Sequence, residues 1–342
     1  MRILVIGGTG FIGPAVVTRL VERGHEIALF HRGQTAADLS AEVQHIQGDR
    51  RHLPEFADTF NRFAPEVVLD MWPMEEQDAR AVVGLFGGLA RRTVAISSQD
   101  VYRAYGRIIG IEPGPPDPVP LTEDAPLRER IYPYRGEKPR GQDDPDRWMD
   151  DYDKIPVERV YMNDSHLPGT ILRLPMVYGP RDDQHRFYDW LKRMDDQRPA
   201  ILMDEQIAPW RWTRGYVENV AEAIALAVVD DRAAGRVYNV GEVESPTWEE
   251  WARKLARAVG WPGAIVLAPR ERLPAQPLAR VKPYQHLLTD SRRIRQELGY
   301  AEPVALDEAL RRAIAWERAN PPKQIDPARF DYAAEDAALA QY

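Results

Sequence analysis

Ile3-Leu4-Val5-Ile6-Gly7-Gly8-Thr9-Gly10-Phe11-Ile12-Gly13 joins a short apolar run to a glycine-rich turn, and Val16, Val17, Leu20 and Val21 follow at the spacing of one helix face. The run reads as a buried strand and its sequel as an amphipathic helix. A second apolar run, Ile27 to Phe30, completes a βαβ unit that ends on His31-Arg32-Gly33. Within it, Gly7 permits the tight strand-to-helix turn, Gly10 lets the backbone approach a pyrophosphate, and Gly13 lets the helix pack against the strand. Pro14 falls in the first helical turn, where its missing N–H costs little, and the helix N-terminus faces the negative charge of a ligand. A dinucleotide site is therefore expected here, with Thr9, Phe11 and Ile12 beside the three glycines.

Composition narrows the remaining classes. The 342 residues suffice for one large domain or two modest ones. Cysteine is absent, which excludes disulfides, thiolate metal sites and cysteine nucleophiles. The histidines are scattered without ligand spacing, and the aspartates between 143 and 153 lack the ordered spacing and glycine of a calcium loop, so no metal is expected. No extended apolar segment is present, so neither a signal peptide nor a membrane span is expected, and a cytoplasmic location is. A net charge of −8 argues against nucleic acid as a partner, which would need a basic face.

Further apolar runs recur at Val43–Ile46, Val67–Leu69, Val94–Ile96 and Thr170–Leu174, most of them separated by helix-like segments. That alternation predicts an α/β fold with a parallel sheet covered on both faces. The residues from Arg103 to Asp150 are rich in proline, glycine and charge and read as a long excursion from the sheet. Beyond Leu174 the pattern is mixed: helices over 187–194, 216–229, 247–259 and 306–318, and a strand over 237–240. The division predicted is a dinucleotide-binding domain over 1–174, a smaller substrate lobe over 175–318, and a tail or docked arm over 319–342.

Taken together, Gly7 to Gly13, Gly48-Asp49, Ser97-Ser98-Gln99-Asp100-Val101-Tyr102, Leu172-Arg173-Leu174-Pro175-Met176-Val177-Tyr178-Gly179-Pro180, Arg214-Gly215-Tyr216-Val217-Glu218-Asn219-Val220-Ala221 and Tyr238-Asn239-Val240-Gly241 resemble the extended short-chain dehydrogenase/reductases. The resemblance is to the nucleotide-sugar epimerase/dehydratase branch and runs from Met1 to about Arg318. It implies a Rossmann-type doubly wound sheet, a nicotinamide dinucleotide, a smaller C-terminal lobe closing over a sugar or nucleotide-sugar, and reaction by transient hydride transfer. A homodimer is left open. The resemblance puts Asp49 at the adenine, Ser98 at the reacting oxygen and Arg214 at a diphosphate, with Arg173 and Tyr178 also on the substrate. It likens Asp100, directly before Val101-Tyr102, to the carboxylate that serves dehydratases as a base.

The chain departs from this family at its Tyr-x-x-x-Lys pair. Around the expected place it reads Asp150-Asp151-Tyr152-Asp153-Lys154-Ile155-Pro156-Val157-Glu158. Aligning on Lys154 and the residues after it puts Asp150 at the tyrosine position. In a regular helix, residues two apart lie on nearly opposite faces, so Tyr152 is expected not to substitute beside Lys154. An irregular first turn at Pro156, or a loop tyrosine (Tyr102, Tyr105, Tyr132 or Tyr134), are the alternatives. The broken motif also admits a redox-inactive dinucleotide sensor.

The place after the second strand usually holds an acid in NAD-binding relatives. Here it holds His31, followed by Arg32, and an arginine there favours a 2′-phosphate. NADP(H) is the expected cofactor, with NAD(H) the alternative.

Overall fold

The computed structural model describes residues 1–35, 37–274 and 281–342. Its first half runs β1 (Arg2–Ile6), α1 (Gly13–Glu22), β2 (Glu26–His31), β3 (Gln44–Gln47), α2 (Ala57–Phe63), β4 (Val67–Asp70), α3 (Glu76–Phe86), β5 (Arg92–Ser98), α4 (Arg103–Ile108), α5 (Lys154–Asn163) and β6 (Gly169–Leu174). The second half runs β7 (Met176–Tyr178), α6 (Tyr188–Asp195), β8 (Ala200–Asp204), β9 (Arg214–Tyr216), α7 (Val217–Val229), β10 (Val237–Asn239), α8 (Trp248–Val259), β11 (Ala264–Ala268), α9 (Arg292–Leu298), α10 (Leu306–Ala319) and α11 (Tyr332–Leu339).

Alternation along β1 explains the layering. Ile3 and Val5 face a core shared with Val16, Val17 and Leu20 of α1 and with Val220 and Ile224 of α7. Leu4 and Ile6 face the opposite core with Phe60, Val82, Phe86, Val157 and Tyr161. Strand residues buried on both faces have to be apolar, as Ile3 to Ile6 are. The main sheet has the order β10-β6-β5-β4-β1-β2-β3, and every adjacent pair is parallel. The order reverses between β1 and β4, which opens a crevice at the strands' C-terminal ends.

The sheet does not end at Leu174, where the sequence division put its boundary. The chain leaves after β6, builds most of the second lobe, and returns as β10, whose Val237, Tyr238 and Asn239 pair with Ile171, Leu172 and Arg173. Without that return β6 would present an unpaired edge. The second lobe carries two small parallel pairs, β8 with β11 and β7 with β9. The residues after 319 dock on it: Arg193 pairs with Glu335 at 2.6 Å, and Phe330 lies 4.8 Å from the Arg193 guanidinium.

The excursion over 103–150 contains α4 but no named strand. It is pinned by polar contacts instead. Asp117 holds Arg103 and Arg107, and Leu121 N–H donates to the Leu288 carbonyl at 2.7 Å. Arg128, fully enclosed, pairs with Asp153 at 2.9 Å.

Candidate active site

The glycine turn has the shape its sequence predicts. Gly7 and Gly8 have φ of +77° and +114°, backbone that other residues adopt only with strain. A Cβ on Gly13 would lie 2.2 Å from the Gly8 Cα, whereas one on Gly10 would meet nothing within 4 Å. The turn is thus closed on its protein side and open at Gly10, and α1 begins directly behind it with Pro14 in its first turn. These features fit a dinucleotide pyrophosphate. Thr9, Phe11 and Ile12 are half-buried around the opening, and the Thr9 carbonyl accepts from Arg181 at 3.2 Å.

At the end of β2, the His31 ring bridges to His45 at 2.9 Å and accepts the Gly33 N–H at 3.1 Å, while Arg32 is exposed. Burial and the neighbouring His45 lower the His31 pKa. Asp49 caps the short turn after β3 by accepting from Arg51 N–H at 3.0 Å. Hydrogen bonds from Arg51 hold its carboxyl well below the usual carboxylate range. The next residue, Arg50, turns inward and binds Asp70 at the end of β4 and the Trp72 carbonyl.

Ser98, Asp100 and Tyr152 converge where β5 ends. Ser98 is the last residue of β5, and its Oγ accepts the Asp100 N–H at 3.2 Å. Asp100 is buried. Its Oδ2 accepts from the Tyr152 hydroxyl at 2.7 Å and from the Tyr134 hydroxyl at 3.3 Å. Its Oδ1 has no partner among the described residues. Burial raises the Asp100 pKa against the pull of Arg128 and Lys154. The Ser98 hydroxyl is a further polar neighbour of Tyr152, whose own pKa burial and Asp100 push well above the ordinary tyrosine value.

Lys154 extends beneath this group. Its Nζ donates to the carbonyls of Pro73 at 2.6 Å and Ile96 at 3.2 Å and sits 5.6 Å from the Tyr152 ring centre. Burial depresses its pKa to about 8.

The expectation that Tyr152 lies away from Lys154 is overturned. Helix α5 starts at Lys154, with Asp153 as its N-cap accepting Ile155 N–H. Tyr152 precedes the helix, so helical spacing does not govern it. Asp153 is fixed in turn by Arg128 and by the Tyr132 N–H at 2.6 Å. Of the loop tyrosines, Tyr134 reaches Asp100, and Tyr105 stands behind it at 2.8 Å between hydroxyls. Tyr102 instead bonds Asn239 and Arg173, and Tyr132 lies against Arg135.

Several predicted residues lie elsewhere. Asp150 is not beside Lys154: it accepts Arg140 N–H at 2.7 Å and is paired with the Arg140 and Arg147 side chains. Those bonds hold its pKa down, so it anchors the excursion rather than serving as an acid or base. Arg173 is enclosed, its guanidinium taken up by Glu158 at 2.7 Å, the Tyr102 hydroxyl and the Glu123 carbonyl, which leaves it no role on a substrate. Tyr178 is fully buried and donates to Glu242 at 2.9 Å. Arg214 is 1% exposed inside a box of aromatic rings.

The sequence profile of the NAD dependent epimerase/dehydratase family matches residues 3–80 and 112–241. The chain belongs to this family. Membership agrees with the resemblance drawn from the motifs and with an enzyme of the extended short-chain dehydrogenase/reductase type rather than a redox-inactive sensor. Among curated relatives, the 2′-dehydrokanamycin reductase of Streptomyces kanamyceticus is 25% identical over 281 residues, covering 79% of this chain and 70% of that protein. The solved UDP-glucose 4-epimerase of Thermotoga maritima, with UDP-glucose, superposes at a TM-score of 0.67 with 19% identity, covering 93% of this chain and 99% of that one. The Bordetella bronchiseptica enzyme WbmG in complex with NAD gives a TM-score of 0.67 at 20% identity, covering 94% of each chain.

Proposed function

We propose that this family member is a nicotinamide-dependent oxidoreductase that oxidises a secondary hydroxyl of a sugar-like substrate, the resulting ketone being resolved by epimerisation or dehydration. The observation that carries the reading is the meeting of Ser98, Asp100, Tyr152 and Lys154 at the C-terminal end of β5, in the crevice that the glycine turn also borders. A bound nicotinamide supplies the hydride acceptor and donor, and the protein supplies orientation and proton transfer.

Tyr152 is the group that meets the substrate oxygen, with Ser98 orienting it. As the hydroxyl proton passes to Tyr152, the tyrosine's own proton moves across its 2.7 Å hydrogen bond to Asp100 Oδ2. Asp100 suits this task, because burial has raised its pKa toward the range in which a carboxylate both takes and returns a proton. The Lys154 ammonium, 5.6 Å from the Tyr152 ring centre, favours the ionised form of this tyrosine and carboxylate pair while the proton is in transit, and we assign it to the cofactor side of the site. We favour NADP(H), because exposed Arg32 follows β2 where an acid would otherwise meet the ribose. Arg51, fixed on Asp49, adds a second cation on that side.

Mass spectrometry of small molecules released from the purified protein, followed by turnover assays in D2O, tests the reading. Conversion of a sugar-like substrate to an epimer or a dehydrated product is expected, with the cofactor returned to its starting oxidation state. Deuterium on the carbon beside the transient ketone marks dehydration, and its absence in an inverted product marks epimerisation. Failure of the cofactor-loaded protein to oxidise any sugar-like alcohol would sink the proposal.

A further inference from the structure

A buried cluster of charges takes no part in the proton transfer at Tyr152. Arg50, the residue after Asp49, runs inward from the turn after β3 to the end of β4 and the first turn of α3. Its guanidinium binds both carboxylate oxygens of Asp70, at 3.0 and 2.9 Å, and pairs through Nε with Asp78 at 2.8 Å. Asp70 is fully enclosed and also accepts the Tyr161 hydroxyl of α5 at 2.7 Å. Breaking a buried cluster of this kind is costly, so its geometry is firmly set.

What the cluster holds is the short segment between β4 and α3. The Trp72 carbonyl accepts from Arg50 at 2.6 Å, and the Met74 N–H donates to Asp78 at 2.8 Å. The same segment is gripped from the other side. The Pro73 carbonyl accepts from Lys154 Nζ at 2.6 Å, and the Met74 carbonyl accepts the Asp153 N–H at 3.2 Å. Residues 72–74 are therefore a wall on which the Lys154 ammonium rests, and Arg50 and Asp78 set where that wall stands. The glycine turn lies against it, since a Cβ on Gly7 would be 3.4 Å from the Trp72 Cβ.

Charge links the same groups. The Lys154 ammonium is attracted by Asp100 after β5, by Asp70 at the end of β4 and by Asp78 on α3, and it is repelled by Arg50. On its own helix, Glu158 is taken up by Arg173, and the Tyr161 hydroxyl by Asp70. Arg50 thus occupies the two carboxylates on the β4 and α3 side and leaves the amine to answer chiefly to burial and to Asp100.

We propose that Arg50 is a positioning residue for Lys154: it seats the segment 72–74 under the ammonium and neutralises the Asp70 and Asp78 carboxylates that face it. The proposal rests on the reading of Lys154 as the cation on the cofactor side of the reacting centre.

NMR of protein isotopically labelled at the lysine ε-carbon follows the titration of this amine whether or not the enzyme turns over, with the Lys154 signal assigned by its loss in Lys154→Arg. Arg50→Met leaves two carboxylates facing Lys154 without their cation. The amine should then keep its proton to higher pH, its midpoint moving up by about half a unit or more. Asp78→Asn removes an attraction and should move the midpoint down. Arg50→Lys restores the charge and should bring the midpoint back toward the wild-type value. Midpoints that stay put, or that move the same way in Arg50→Met and Asp78→Asn, would overturn the proposal and leave Arg50 a structural ion pair only. If Arg50→Met does not fold, Asp78→Asn decides, and a midpoint that fails to fall there overturns the proposal. The alkaline limb of turnover tests the other reading separately. It should follow the NMR midpoint, and a limb that stays fixed while the midpoint moves would remove Lys154 from the reaction and leave the assignment of Arg50 standing.

Discussion

The hydroxyl of Tyr152 donates to Oδ2 of Asp100 across 2.7 Å, although the two residues are 52 positions apart in the chain. Each residue is buried: burial raises the Asp100 pKa against the pull of the Tyr152 hydrogen bond, and burial and Asp100 together push the Tyr152 pKa up. The pair is therefore a proton-sharing unit, and its chemistry should fail when either half is removed.

Asp100→Asn keeps the size of the side chain and removes its capacity to take a proton. Turnover should fall by roughly a hundredfold or more, as for the loss of a positioned general base, while cofactor affinity measured by fluorescence titration stays close to wild type. A variant retaining more than a tenth or so of the rate would move the role to another group.

Tyr152→Phe should be as severe as Asp100→Asn, and the double variant should be little worse than either, because groups that act as one unit are not additive. Tyr134→Phe, which removes a 3.3 Å contact to the same carboxylate, should cost far less. Equal losses at the two tyrosines would show that the loop residue carries the proton.

The pH profile should be a bell. On the acid side, activity rises with pH as Asp100 ionises, and burial moves that limb above the ordinary carboxylate range. On the alkaline side, Lys154 is charged below about 8 and loses its proton above it, so the rate falls as pH rises through that value. Lys154→Met should abolish the alkaline limb and weaken cofactor binding. An unchanged limb in that variant would assign it to another group.

Arg32→Ala should weaken NADP(H) at least several-fold and leave NAD(H) nearly unaffected, because the arginine's charge would meet only the 2′-phosphate. Parallel titrations with both cofactors decide the matter, and equal effects on the two would reject the preference.

Asp153→Ala removes the N-cap of α5 and strands Arg128, both members of the pair being fully enclosed. Breaking a buried ion pair costs about 3–5 kcal/mol, so a large drop in the urea midpoint is expected. Asp150→Ala, which frees Arg140 and Arg147 whose side chains reach solvent, should cost less.

Local features of the fold were legible in the sequence. The strands β1, β2, β4, β5 and β6 each contain a short apolar run, and the glycine turn depends only on its own backbone. The position of Tyr152 was not legible, because it depends on where α5 begins. That start is set by Asp153 bound to Arg128 from the excursion, a pairing no helical period encodes. The enclosure of Arg214 was hidden for a similar reason: Phe187 and Trp190 come from one segment, Trp248 and Trp251 from another. Their spacing marks core-facing helix positions without naming what they pack against. Asp150 misled because an acid four residues before a lysine looks like a helical pair, whereas the helix begins only at the lysine.

The return of β10 to the edge of β6 bears on how such a protein can be recombined. Residues 217–239 travel with the sheet, while those just before and after them belong with the outer lobe. A lobe transplanted from a relative at a single splice point would leave β6 with a bare edge, or leave α7 without its bed on α1. Ligand preference in this architecture is thus inherited as two interleaved blocks of sequence, which must be exchanged together to move one specificity onto another's chemistry.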